Sequence, residues 1–242
     1  MTPAEYVYMD HAATTALCPQ ARAAMEPFLA PAEDPGSRFG NPSGSHAVAR
    51  DALRAMDEAR EQVALVLGCR PGEVIFTAGG TEADNLAVSG GMPPRAGVPV
   101  CSAVEHPAVL ETTRVLRGEV VGVDPAGRVD LGALEATLGR IVGSSRTVSV
   151  VSVMTANNEL GTINDIDAVS EVVRLCAPGT TLHTDAVQAA PWLDIEVVAA
   201  AADLVSVSAH KLGGPKGVGA LVAREGIPVS PLIHGGGQER ER

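Results

Sequence analysis

Leu204-Val205-Ser206-Val207-Ser208-Ala209-His210-Lys211-Leu212-Gly213-Gly214-Pro215-Lys216-Gly217-Val218 is the stretch from which the rest of the chain can be ordered. Leu204 to Val207 reads as a strand, and Val218 to Ala223 reads as another. The glycine-rich connection between them is too short for the crossover helix that a parallel pair needs, so these two are expected to run antiparallel. Upstream, strand-like and helix-like segments alternate. Strands are expected at Val74 to Phe76, Val98 to Cys101, Glu119 to Val123, Thr147 to Val153 and Thr181 to Thr184. Helices are expected at Thr81 to Val88, Pro107 to Leu116, Asp130 to Leu138 and Ile166 to Cys176. A long amphipathic helix follows the turn at Asn41 to Ser45, with Leu53, Met56, Val63 and Leu67 as its apolar stripe. The alternation predicts an α/β fold: a mainly parallel sheet with one antiparallel strand and helices on both faces.

Composition narrows the class. With 242 residues and 45% hydrophobic content, the chain is large enough for one sizeable domain or two small ones. Only 2% of residues are aromatic, so the core is aliphatic. No apolar run is long enough to span a bilayer, and Met1 to Glu5 lacks the basic flank and apolar run of a signal peptide. Cys18, Cys69, Cys101 and Cys176 are scattered without a C-x-x-C pair, which indicates a reducing, cytoplasmic setting and neither a zinc site nor a disulfide framework. A net charge of −11 argues against a nucleic-acid surface. No repeat, low-complexity segment or linker divides the chain.

Five polar clusters each follow directly after an expected strand: Gly79-Gly80-Thr81-Glu82, Glu105-His106, Asn157-Asn158-Glu159, Asp185-Ala186-Val187-Gln188 and Ser208-Ala209-His210-Lys211. The C-terminal edge of an open α/β sheet is where ligands bind. Lys211 and Lys216 are the two lysines against sixteen arginines. A lysine amine can lose its proton and attack a carbonyl, which a guanidinium cannot do, and pyridoxal phosphate enzymes hold their cofactor through such a lysine Schiff base. A general bias toward arginine would also leave two lysines. Gly79 and Gly80 before a helix start suit close backbone approach to a phosphate, while Thr81 and Asp84 also read as a capping box. The dinucleotide fingerprint is absent, and Gly213 to Gly217 is no P-loop because neither Ser nor Thr follows Lys216. Asp185 could pair with a protonated pyridine nitrogen or serve as a helix N-cap. A metal reading of His183 and Asp185 lacks a third ligand at matching spacing. His106 before Pro107 could stack on a flat ring, shuttle a proton, or simply begin a helix. Asn157 and Asn158 could be loop formers.

From about Val7 to Arg240 the chain resembles the large domain of cysteine desulfurases, pyridoxal phosphate enzymes (fold type I) of the class V aminotransferase group. The stretches that carry the resemblance are Tyr8 to Thr15, Gly40 to Ser43, Phe76 to Asn85, Glu105-His106 and Asn157 to Gly161, then His183 to Gln188, Ser208 to Lys211 and His234 to Arg240. The resemblance implies that Lys211 holds pyridoxal phosphate and moves the substrate α-proton. It implies that Gly80, Thr81, Ser208 and His210 hold the phosphate and that His106 stacks on the ring. It pairs Asp185 with the ring nitrogen, Gln188 with the ring oxygen, and Asn158 with that oxygen and the substrate.

The same resemblance implies L-cysteine as substrate, a sulfur-acceptor protein as partner, and a homodimer. The family continues into a smaller C-terminal domain, whereas this sequence stops at Glu239-Arg240-Glu241-Arg242. The family's Ser-Gly-Thr segment, its mobile-loop cysteine and its carboxylate-binding arginine are thus expected beyond residue 242. Cys101 is expected in a strand and Cys176 late in a helix, with Cys18 and Cys69 near loops outside the five clusters. The expected activity is removal of sulfur from L-cysteine, giving alanine and a persulfide for iron–sulfur clusters or thiolated cofactors. Other expectations are another class V activity, such as a selenocysteine lyase or aminotransferase, and a truncated module without turnover.

Overall fold

A computed structural model describes residues 7–90 and 97–240 of the chain. Met1 to Glu5, and the terminal Glu241 and Arg242, lie outside the described residues. The helices are α1 (Pro19–Leu29), α2 (Ala47–Val66), α3 (Gly80–Asn85), α4 (Pro107–Val115), α5 (Leu131–Gly143), α6 (Ile166–Cys176) and α7 (Ile195–Val198). The strands are β1 (Val74–Thr77), β2 (Val98–Ser102), β3 (Glu119–Val121), β4 (Val148–Ser152), β5 (Thr181–Asp185), β6 (Leu204–Ser208) and β7 (Gly219–Ala223). They form one sheet in the order β1-β7-β6-β5-β4-β2-β3. β7 is antiparallel to both neighbours, β6 and β1, and the remaining pairings are parallel.

That arrangement decides where the polar clusters go. Because β7 reverses direction between β1 and β6, those two strands point the same way as β2, β4 and β5. Their C-terminal ends therefore share one edge. Gly219 opens β7 opposite Thr77 on one side and Ser208 on the other. A Cβ there would meet the Gly79 carbonyl carbon at 2.6 Å, so glycine is what lets the turn after β1 close over the start of β7.

Side-chain alternation along the strands splits the core into two layers. On one face, Val74, Val205, Val207 and Val222 pack against α2, α5, α6 and the short α7. On the other, Ile75, Leu204 and Leu221 meet α3, while Cys101 and Val150 meet Val109 of α4. α6 begins where Asp165 accepts from the Ala168 amide, and it buries Ile166, Val169 and Val173 on one stripe. Asp130 caps α5 in the same way, and Pro107 occupies the first turn of α4.

Several expected elements differ in extent. The strand after Gly118 ends at Val121, with an isolated bridge from Val123 to Val129 beyond it. α5 runs on to Gly143, and α3 passes into a π-helical turn at Leu86–Gly90. α1 and α7 have no counterpart in the sequence expectations, and α1 buries no residue. The face of α2 differs in part. Leu67 is buried and Val63 packs on the core as expected, but the helix also turns Ala49, Ala52, Arg60 and Ala64 inward and leaves Leu53 39% exposed. Small side chains let the helix lie close to the body, and Arg60 is drawn in by a specific partner.

That partner is Glu239. Arg60 donates to Glu239 through Nη1 and Nη2 at 2.8 and 2.7 Å, and to the Val74 carbonyl at 2.8 Å. The same carboxylate accepts from the Phe76 amide at 2.9 Å, and the guanidinium lies 4.6 Å from the Phe76 ring centroid. The bridge pins the segment after Ser230 to α2 and β1. Removing one member leaves a largely buried charge unpaired, so Arg60→Met should lower unfolding stability by about 3 kcal/mol. Adding Glu239→Gln should recover part of that loss, which a double-mutant cycle in urea would measure.

Candidate active site

The shared strand edge forms a cleft of about 450 Å³. Gly80, Thr81, His106, Asn158, Asp185, Gln188, Ser208, His210 and Lys211 all line it. Elements that are far apart in sequence therefore converge at one place. Asp10, Ala12, Ala13, Asp84, Met154 and Val187 complete the wall.

The Lys211 side is built by the N-terminal segment folding across the loop after β6. Thr15 donates its amide and its hydroxyl to the His210 carbonyl, each at 2.8 Å, and Thr14 Oγ1 lies 3.0 Å from His210 Nδ1. Lys211 Nζ donates to the carbonyls of Ala12 and Ala13, the latter at 2.9 Å. Partial burial lowers the Lys211 amine below the ordinary lysine range, and the carboxylates of Asp185 and Asp10 oppose that shift.

Asp185 ends β5 and is 4% exposed. Its Oδ1 accepts from the Val187 amide at 2.8 Å, closing an Asx-type turn instead of capping a helix. Burial raises its carboxyl, while the Val187 amide, His106 and Lys211 hold it down. Glu105 is pushed up to about 8 by burial, with Ser102 Oγ and the Met154 amide both donating to Oε1. His106 begins α4, its Nδ1 accepting from the Ala108 amide at 3.1 Å, so a helix-starting role coexists with its place in the cleft.

Two of the open readings are decided at this point. Thr81 and Asp84 do not form a capping box. Gly79 is the N-cap of α3, Glu82 accepts from the Ala78 amide, and Asp84 turns inward with 1% exposure. Asn157 stays outside the cleft lining. It holds the loop, accepting from the Glu159 and Leu160 amides and donating to the Val104 carbonyl. Cys18 lies outside the five clusters as expected, with its amide donating to the Gly213 carbonyl two residues after Lys211, and none of the four cysteines lines the cleft.

The cleft also carries unmet hydrogen-bonding capacity. Buried Ser208 Oγ, Gln188 Oε1 and Asp84 Oδ1 have no hydrogen-bond partner among the described residues. A Cβ on Gly80 would sit 2.9 Å from Val187 Cγ2, so this corner stays open because residue 80 is glycine. Polar atoms left open beside the Lys211 amine and the buried Asp185 carboxyl suit a polar ligand that brings hydrogen-bond donors as well as acceptors.

An α/β sheet with a lysine-centred cleft at its C-terminal edge defines the general class, and comparison with known proteins gives the family. The chain belongs to the aminotransferase class-V family, whose model matches residues 7–241. It is 40% identical to the cysteine desulfurase IscS of Dictyoglomus turgidum over 98% of its own length, covering 58% of that protein. It is 43% identical to an IscS-like cysteine desulfurase of Mycobacterium tuberculosis, over 97% of this chain and 59% of that one. The chain thus spans roughly three fifths of the length of these curated relatives. Among solved structures, a NifS-like protein superposes with a TM-score of 0.87 at 38% identity, over 97% of this chain and 63% of the other. SspA in complex with cysteine gives 0.83 at 34% identity, covering 98% and 67%.

The opposing influences on Lys211 give a test. Its modification by an amine reagent, followed by peptide mapping across pH, should show a midpoint below the ordinary lysine range. Asp185→Asn should lower that midpoint further, because a carboxylate that favours the ammonium form is lost. A midpoint at or above the ordinary range would contradict the burial argument.

Proposed function

We propose that residues 1–242 form the pyridoxal phosphate-binding large domain of a cysteine desulfurase, which removes sulfur from L-cysteine to leave alanine and a persulfide. The observation that carries this reading is the convergence of Lys211, Asp185, His106 and the Gly80–Thr81 and Ser208–His210 corners on one cleft with unmet polar atoms. The names of the relatives support the reaction, and the cysteine complex of SspA supports the substrate class.

The residues present fit the cofactor. Ser208, His210, Gly80 and Thr81 are assigned to its phosphate, His106 to its ring face, Asp185 to its ring nitrogen, and Gln188 and Asn158 to its ring oxygen. When bound, pyridoxal phosphate supplies an electron-withdrawing ring that stabilises negative charge at the α-carbon of an amino acid. Asp185 contributes a fixed buried charge, and it favours a protonated ring nitrogen. Lys211 releases the Ala12 and Ala13 carbonyls in order to react. Its lowered proton affinity leaves more free amine, the form that attacks a carbonyl and accepts a proton from carbon.

The sulfur-accepting thiol is assigned outside the four cysteines seen here. Burial pushes Cys69 up to about 11 and Cys101 up to about 12, which keeps both as thiols, and neither faces the cleft. The partner classes that fit are a sulfur-acceptor protein serving iron–sulfur clusters or thiolated cofactors, and a second copy of the chain as homodimer. A cytoplasmic setting fits four free thiols, and no helix among the described residues is long and apolar enough to cross a membrane. The charge of −11 disfavours a nucleic-acid partner.

Asp185→Asn tests the assignment. It removes charge with little change in volume, so the chain should stay folded while α-proton exchange of a bound amino acid slows by about a hundredfold or more. Deuterium exchange followed by NMR measures this, and exchange at the unmutated rate would contradict the role given to Asp185.

A further inference from the structure

Beneath the cleft, a hydrogen-bonded chain crosses β4, β5 and β6 beside a carboxyl that the reaction chemistry does not use. Ser152 Oγ lies 2.8 Å from His183 Nδ1, and His183 Nε2 lies 2.9 Å from Ser206 Oγ. Ser206 also acts on the neighbouring carboxyl of Asp84, whose Oδ1 is 3.7 Å from His183 Nε2. All four residues are at most 1% exposed. Asp84 Oδ1 has no hydrogen-bond partner among the described residues.

The charges around Asp84 decide its state. On β5 and after β2 it faces the carboxyls of Asp185 and Glu105. β1, β6 and β7, which also pack on α3, carry no titratable side chain. α4 brings His106, which acts on Asp185, together with Glu111 and Arg114, which pair with each other at the surface. On α3 itself, Glu82 is occupied by the Ala78 amide. Complete burial holds His183 neutral, at about 3, so it offers no positive charge. Lys211 and His106 offset the charge of Asp185. An ionised Asp84 would be a buried charge with one bare oxygen and carboxyl neighbours, an arrangement that costs several kcal/mol.

We propose that Asp84 is a positioning residue that stands as a neutral carboxylic acid, its proton directed along Asp84–Ser206–His183–Ser152, so that the buried negative charge rests on Asp185. In this direction the Asp84 acid donates to Ser206 Oγ, the Ser206 hydroxyl donates to His183 Nε2, and His183 Nδ1–H donates to Ser152 Oγ. The reverse direction would place the imidazole proton on Nε2 and point the Ser206 hydroxyl at an ionised Asp84. Burial, with Asp185 and Glu105 adding to it, raises the Asp84 carboxyl well above the usual range, in keeping with the neutral form. The benefit, one localised charge facing the ring nitrogen, rests on the cofactor reading above, whereas the place of the proton does not.

NMR of the full chain without cofactor, with labelled aspartate carboxyls and histidine ring nitrogens, tests this in the unmutated, Asp84→Asn and Asp185→Asn forms. A neutral aspartic acid signal should be present near neutral pH, vanish in Asp84→Asn and survive in Asp185→Asn. His183 should be the Nδ1–H tautomer. The Asp185 titration should be unmoved in Asp84→Asn, because a neutral amide replaces a neutral acid. Denaturant titrations add a second arm. Between the ordinary carboxylate range and the raised folded value, the folded state holds a proton that the unfolded state has lost. Rising pH should therefore lower the folding constant of the unmutated chain, relative to Asp84→Asn, by about tenfold per pH unit. The proposal is overturned by absence of the neutral signal, its loss in Asp185→Asn, an Nε2–H imidazole, or parallel stability curves. Should Asp84→Asn fail to fold, the unmutated and Asp185→Asn spectra still decide.

Discussion

Burial of the Asp185 carboxylate at the end of β5 is the constraint around which the cleft is organised. A carboxylate taken out of water needs compensation, and here it comes from the Val187 amide, Lys211 and His106. The relation runs both ways. Burial that raises Asp185 also lowers Lys211, and the attraction between the two opposes both shifts. An amine of lowered proton affinity and a carboxylate held in place are thus two consequences of one desolvated environment.

The sheet topology makes that environment possible. Asp185 and the loop carrying Lys211 come from adjacent parallel strands, β5 and β6. The antiparallel β7 then brings the end of β1, with Gly79 and Gly80, to the same edge. Glycine at 219 and at 80 removes the side chains that would fill this junction. Strand order thus places the lysine between the carboxylate and the glycine corner.

Much of this was legible in the sequence where local signals agree with tertiary demand. α6 carries its cap, its apolar stripe and its last residue in the pattern itself, and the short glycine-rich connection forced β7 antiparallel. The nine proposed site residues all line the cleft because each sits at or after the end of a strand, and the sheet gathers strand ends. What the sequence hid depends on distant partners. The inward turn of Arg60 needs Glu239, nearly two hundred residues away, so hydrophobic periodicity pointed to Leu53 instead. α1 buries nothing and so left no periodic apolar signal. Asp84 looked like a capping residue because local spacing cannot reveal that Ser206 and Asp185 wait on the inner side.

The central claim is that Lys211, and not the neighbouring Lys216, is the amine that this edge prepares for a carbonyl. Lys216 follows Pro215 in an exposed turn, whereas Lys211 faces Asp185 across the cleft. Incubation of the chain with pyridoxal phosphate, borohydride reduction and peptide mapping test the claim directly. The account predicts a stable adduct on Lys211; an adduct on Lys216, with Lys211 unmodified, would contradict it.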